Sequence, residues 1–193
     1  MLNVLNMKKI ISAALLIFIT IALSAQRKVV RDTLFVNGKP IGCTITNWYC
    51  IEGDKCPSFT VFDENGKKIV SKDLLGKTVV ISFWINTCAP CRKELSRVGP
   101  ELIDKYSPDE FAFIAIGSGE TAESAKAFRL RSTATFPLCY DETGDVVKKF
   151  ADNGFPKLFV VDSKGIVRMT EQGYSEEKFS HLKKVVDRLV KTR

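Results

Sequence analysis

Thr78-Val79-Val80-Ile81-Ser82-Phe83-Trp84-Ile85-Asn86-Thr87-Cys88-Ala89-Pro90-Cys91 is the stretch on which the fold of this chain turns. From Thr78 to Ile85 the residues are β-branched or apolar almost without a break, as in a central strand buried on both faces. Asn86 and Thr87 interrupt the run. Ala89-Pro90 then suits the first turn of a helix, where the missing N–H of a proline costs little. That helix is expected to run from near Ala89 toward Tyr106, with Leu95, Val98 and Leu102 inward and Pro100 kinking or shortening it. The junction therefore presents two thiols, at C-x-x-C spacing, on the first turn after a buried strand.

The elements on either side extend the pattern. Phe111 to Ile116 reads as a second buried strand, and Thr121 can cap a helix reaching about Arg131. Phe136 to Tyr140 reads as a shorter strand and Asp145 to Ala151 as a short helix. Lys157 to Asp162 and Ile166 to Thr170 read as strands joined at Ser163-Lys164-Gly165. A last helix from about Ser175 to Val190 carries Phe179, Leu182, Val186 and Leu189 at helical spacing. Upstream, Thr33 to Val36 and Ile41 to Ile45 flank Asn37-Gly38, a hairpin signal. Phe59 to Phe62 and Lys68 to Val70 flank Asn65-Gly66 in the same way, and Asp73 to Gly76 fits one helical turn. The order predicts an α/β sheet with a parallel part and an antiparallel edge.

Cys88 and Cys91 carry the chemistry. Free N–H groups and partial positive charge at a helix N-terminus favour a thiolate. Cys88 is expected to be the exposed nucleophile and Cys91 the resolving thiol that releases a mixed disulfide. A zinc site wants a second pair at matching spacing, which Cys43, Cys50 and Cys56 do not supply. Haem attachment wants His after the second Cys, where Arg92 stands; the only histidine, His181, lies on the last helix. No metal and no cofactor beyond the cysteine pair is expected.

At 193 residues, 45% hydrophobic and 26% charged, the chain has globular composition, with a net charge of +7. Its basic residues are dispersed, without a stripe interleaved with aromatics, so nucleic acid is not an expected partner. Lys8 and Lys9 precede an apolar run from Ile10 to Leu23, shorter than the about 20 residues that span a bilayer. Small residues follow at Ala22, Ser24 and Ala25. Residues 1–25 are therefore expected to be a signal peptide, with an uncleaved membrane anchor as the alternative. Residues 26–55 then form a β-rich extension and residues 56–193 the main domain. On either account the folded part lies outside the cytoplasm, in the periplasm or an equivalent space. There cysteines are paired or redox-active.

Several segments also resemble the TlpA/ResA-like thioredoxin-fold thiol–disulfide oxidoreductases of bacteria. They are Cys56-Pro57-Ser58-Phe59, Gly76 to Trp84, Cys88-Ala89-Pro90-Cys91-Arg92-Lys93-Glu94, Phe136-Pro137, and Gly154-Phe155-Pro156-Lys157 to Asp162. The resemblance implies a thioredoxin fold: a mixed central sheet flanked by helices, here with an N-terminal β-hairpin extension. It implies disulfide exchange with secreted proteins, in some members an apocytochrome c, and electrons delivered by a membrane partner. Pro156 matches the family's cis-proline, beside which an extended substrate chain pairs. Glu94 matches an acidic residue that can relay a proton for Cys91; a surface pairing with Arg97 is the alternative. Trp84, Thr87, Pro90, Phe155 and Pro156 are the expected substrate-binding positions, with Trp84 packed beneath the pair. Three positions depart from the pattern: Thr87 replaces a common Trp, Ser82 a buried Asp, and bulky Phe155 a smaller residue.

Cys43, Cys50, Cys56 and Cys139 allow three full pairings. Cys50 and Cys56 enclose a turn-like segment and form the first candidate for a structural disulfide, while Cys139 suits a small buried apolar role. A non-catalytic binding or chaperone module on the same fold is the competing function. A peroxiredoxin fits poorly, because Trp84-Ile85-Asn86-Thr87 lacks the usual Pro and Thr approach to the reactive Cys.

Overall fold

The computed structural model describes residues 28–36 and 39–193, with side chains from residue 46 onward. The signal or anchor segment and the Asn37-Gly38 turn lie outside the described residues. Among those described, no helix is long and apolar enough to cross a membrane.

The main sheet has seven strands in the order β4-β3-β7-β6-β5-β8-β9. They are β3 (Thr60–Asp63), β4 (Lys68–Val70), β5 (Thr78–Trp84), β6 (Phe111–Ser118), β7 (Leu138–Asp141), β8 (Lys157–Val161) and β9 (Val167–Gln172). Strand β5 runs parallel to β6 and antiparallel to β8, so the predicted mixture of parallel centre and antiparallel edge is present. Three helices complete the domain: α1 (Ala89–Glu101), α2 (Ala122–Ser132) and α3 (Glu176–Lys191). Separately, β1 (Lys28–Val36) and β2 (Lys39–Trp48) pair antiparallel as a two-stranded ribbon, longer than the predicted hairpin.

All seven residues of β5 are buried, as its unbroken apolar run predicts. Alternation along the strand divides them. Val80 and Trp84 face a core built with Leu95, Val98 and Leu102, with Phe128 of α2, and with Phe179 and Leu182 of α3. Val79, Ile81 and Phe83 face a second core with Phe59, Phe150 and Phe159. There Phe83, Phe150 and Phe159 meet at centroid distances of 4.9–6.0 Å. Such ring pairs contribute about 0.5–1.5 kcal/mol each beyond area burial.

Helix ends follow the local chemistry. Thr121 and Ser124 form a reciprocal capping box at α2, and Ser175 caps α3 by accepting from Lys178 N–H at 3.1 Å. Pro100 shortens α1: the helix ends at Glu101, and a 3-10 turn at Ile103–Lys105 takes the chain toward Tyr106. The helix expected from Asp145 to Ala151 is only a 3-10 turn at Val147–Lys149. The Phe150 carbonyl is taken by Tyr49 and Cys50 N–H at 2.8 and 3.0 Å, and Ala151 bridges Trp48. Those long-range partners hold the backbone out of helical geometry.

Candidate active site

Strand β5 ends at Trp84 and delivers the chain to the edge of the sheet where β6 also ends. In open α/β sheets this strand end is where sites are built. The turn from Ile85 to Cys88 is closed by Cys88 N–H on the Ile85 carbonyl at 3.1 Å. Cys88 is the N-cap of α1, and its sulfur accepts the N–H of Cys91 at 3.1 Å. A Cys88 thiolate would occupy the same cap, stabilised by that N–H and the helix dipole. The two residues are disulfide-bonded, with Cα atoms 5.2 Å apart. Cys88 is 8% exposed and Cys91 0%. Any reaction with a large partner therefore enters through Cys88, and Thr87, Ala89 and Pro90 around it are exposed.

Glu94, one turn further along α1, is 3% exposed. It accepts a hydrogen bond from the Ser82 hydroxyl at 2.6 Å. Burial pushes its carboxyl up to about 7, against the opposing pull of that bond. The surface alternative does not occur, because Arg97 lies instead on Glu101, Tyr174 and Glu176. Ser82 thus does more than replace a buried acid. It orients a carboxyl that arrives from the helix.

Trp84 is fully buried and stacks on Phe128 at 4.1 Å. Its expected place on the substrate surface is therefore corrected: it is enclosed beneath the site, packed on Phe128. Phe155–Pro156 is a cis peptide bond, as the resemblance implied. Phe155 packs against the apolar cluster that contains Cys88 and Cys91. The Pro156 carbonyl accepts from Gly173 N–H at 2.8 Å. Among the described residues, nothing hydrogen-bonds the backbone N–H or C=O of Phe155, which leaves a short open edge there.

Sequence reasoning missed the residues that hold the loop before Cys88. Glu120 accepts Asn86 N–H at 2.6 Å and Ser124 Oγ–H at 2.7 Å, and Arg131 bonds the Asn86 side chain. Only Glu120 and Ser124 sit near a recognisable cap, and nothing local links them to Asn86. Gly117 makes room for this arrangement. A Cβ there would lie 2.7 Å from the Trp84 ring and 2.9 Å from Glu120 Cβ. Gly117→Ala is expected to cost about 1–3 kcal/mol by overpacking, read as a lower urea midpoint. An unchanged midpoint would show that Trp84 and Glu120 are not rigidly placed.

Cys50, Cys56 and Cys139 are free thiols. The disulfide expected between Cys50 and Cys56 is not formed. Cys50 is anchored on the Phe150 carbonyl and Cys56 on Gly165, while Asp54 closes the intervening turn through Ile51. Burial pushes the Cys50 and Cys139 thiols up to about 12 and that of Cys56 to about 11. They are poor nucleophiles at neutral pH. Cys43 lies outside the described side chains. Cys56 also lines an apolar cavity of about 220 Å³ with Phe59, Leu74 and Val79, at the opposite end of β5 from Cys88. Among the described residues no cluster of His, Cys, Asp and Glu could hold a metal ion.

Residues 52–170 match the AhpC/TSA family. The thiol-disulfide oxidoreductase ResA of Bacillus thuringiensis subsp. konkukian is 34% identical over 135 residues, 69% of this chain and 78% of that protein. ResA of Bacillus subtilis is 29% identical over 133 residues, 67% and 72% of the two chains. Among solved structures, a candidate protein disulfide isomerase of Bacteroides thetaiotaomicron superposes with a TM-score of 0.71 at 28% identity. That match covers 75% of this chain and 92% of the other.

Proposed function

Because the chain belongs to the AhpC/TSA family of thioredoxin-like proteins and is a thiol–disulfide oxidoreductase, we propose that it works as a reductase of secreted proteins outside the cytoplasm. The Cys88 thiolate attacks a substrate disulfide, displacing one substrate sulfur as a thiolate that takes a proton from solvent, and forming a mixed disulfide. Cys91 then gives its proton to Glu94 and attacks Cys88, closing the Cys88–Cys91 bond and expelling the second substrate sulfur, which leaves as a thiol when Glu94 passes the proton on. Two electrons leave the enzyme dithiol for the substrate. A dithiol donor at the membrane must return them. Phe155 and Pro156 hold the substrate chain beside the pair, with Thr87 and Pro90 at its border. Apocytochrome c, whose paired cysteines must be reduced before haem attachment, is the substrate to test first.

The observation that supports this direction of electron flow is the buried Glu94, one helical turn after Cys91 on α1. A carboxylate there repels a thiolate and so destabilises the reduced, ionised form. Strong oxidants of this fold do the opposite and stabilise their reduced form. The test is the reduction potential of the Cys88–Cys91 pair, equilibrated in dithiothreitol and glutathione buffers with Trp84 fluorescence as the readout. A value near about −270 mV supports the reductase, and one near about −120 mV would identify an oxidant.

A further inference from the structure

The amino-terminal ribbon is not a free appendage. Its last residues lie along the segment that leads into Pro156. Asn47 N–H donates to Asp152 Oδ1 at 2.7 Å, and Asn47 Nδ2 donates to Asp152 Oδ2 at 2.5 Å. Asp152 N–H returns a bond to the Asn47 carbonyl at 3.1 Å. Thr46 Oγ1 donates to the Asn153 carbonyl at 3.2 Å. Trp48 bridges Ala151, and its ring meets Phe159 edge-on at 5.4 Å. Thr46 and Trp48 are 0% and 2% exposed, and they flank the half-buried Asn47–Asp152 pair.

A second layer reaches the next residue. Lys157 is fully buried, donates from Nζ to the Gly154 carbonyl at 2.8 Å, and sits over the rings of both Trp48 and Phe155 at 5.5 and 5.6 Å. Every residue from Phe150 to Gly154 is therefore tied to a group outside the loop. Beyond Phe155, the Pro156 carbonyl is tied to Gly173. Phe155, with its open backbone edge, stands between two fixed points.

We propose that the Thr46–Trp48 end of the ribbon is a positioning element for substrate. Asn47 and Asp152 set the register in which Phe155 meets an extended cysteine-containing peptide. Apolar packing alone would bury this loop without fixing its register, because burial is non-directional. The reciprocal bonds between Asn47 and Asp152 are directional, and one partner is a carboxylate, which makes them the strong kind. A loop held in place before binding loses less entropy when a peptide strand pairs with it. The inference rests on the reading of Phe155–Pro156 as the substrate edge.

The test uses the full chain and two disulfides. One is a peptide whose cystine is flanked by several residues on each side. The other is a small aromatic disulfide with no backbone to pair. With Asn47→Ala and Asp152→Ala, KM for the peptide should rise about tenfold, the size expected on losing hydrogen bonds to a charged group. The kcat, the potential of the Cys88–Cys91 pair and the rate with the aromatic disulfide should stay unchanged. An unchanged peptide KM overturns the proposal. So does an equal loss on both disulfides, which marks a merely structural role. Where Asp152→Ala fails to fold, Asn47→Ala, which keeps the backbone bonds, decides alone. A peptide N-methylated on the residues flanking its cystine, which cannot pair its backbone with Phe155, separates the two readings. If its KM equals that of the unmethylated peptide, the substrate-edge reading fails and takes the clamp with it. If methylation raises KM while Asn47→Ala does not, only the clamp fails.

Discussion

With Cys91→Ser the protein is expected to stop turning over and to accumulate as a mixed disulfide joined through Cys88. The reason is access. Cys88 is the cap residue, only 8% exposed but flanked by exposed Thr87, Ala89 and Pro90, and Cys91 is wholly enclosed. A substrate sulfur can bond Cys88, but only the neighbouring thiol can reach that bond from behind. Well-oriented intramolecular attack corresponds to effective molarities on the order of 10⁵ M. A millimolar external thiol is a poor substitute, so release should slow by at least about a thousandfold. Cys88→Ser should form no adduct, because the remaining thiol is buried. Non-reducing electrophoresis and intact mass would read both results. The assignment fails if Cys88→Ser still captures substrate or if Cys91→Ser still turns over. Cys50, Cys56 and Cys139 should not compete, since burial holds their thiols at about 11 to 12.

The second large effect concerns Glu94 and pH. Its carboxyl titrates near 7 when folded and near 4.5 when unfolded. Between those values the folded state keeps a proton that the unfolded state has lost. Stability must then fall as pH rises through that window, by about 3 kcal/mol in all. Below about pH 4.5 the penalty is absent, because both states are protonated. Glu94→Gln keeps an acceptor for the Ser82 hydroxyl and removes the titration. The variant should therefore be more stable than the parent chain by about 3 kcal/mol at pH 8, with the advantage gone at pH 4. Urea midpoints across that range, measured on the disulfide form so that Cys88 and Cys91 do not titrate, would show it. Parallel curves for the two proteins would mean that Glu94 is hydrated after all. In the reduced enzyme the same change should lower the thiol pKa values and shift the potential toward oxidising values, as expected from removing a nearby negative charge.

Much of this molecule is written in short-range chemistry. The apolar run of β5, the proline that opens α1 and the proline that ends it each act on their own few residues. So do the caps at Thr121 and Ser175, and they land within a residue or two of where periodicity places them. The spacing of Cys88 and Cys91 on a first helical turn is likewise a local fact, and it carried the chemistry of the site. Glu94 was the boundary case. Its i+3 relation to Cys91 put it on the correct side of the helix, but the same spacing offered it Arg97 at the surface.

Other features depend on contacts that no local pattern encodes. Whether Glu94 is buried depends on Ser82 of β5, twelve residues away, and on how α1 lies on the sheet. Glu120 reaches Asn86 across 34 residues, and Asn47 meets Asp152 across 105. The short helix expected near Asp145 gave way because Phe150 and Ala151 had distant partners. The proposed Cys50–Cys56 bond did not form, and each backbone is held by its own turn, Cys50 on the Phe150 carbonyl and Cys56 on the Gly165 carbonyl. Amino-acid pattern alone determined the strand–helix junction, its redox pair and the succession of strands and helices along the chain, because propensity, capping and periodicity act over a single turn or strand. Tertiary structure alone decided which carboxyl is kept dry, which thiols stay free and what holds the loop before Pro156. Burial and long-range hydrogen bonds exist only once the whole chain has packed.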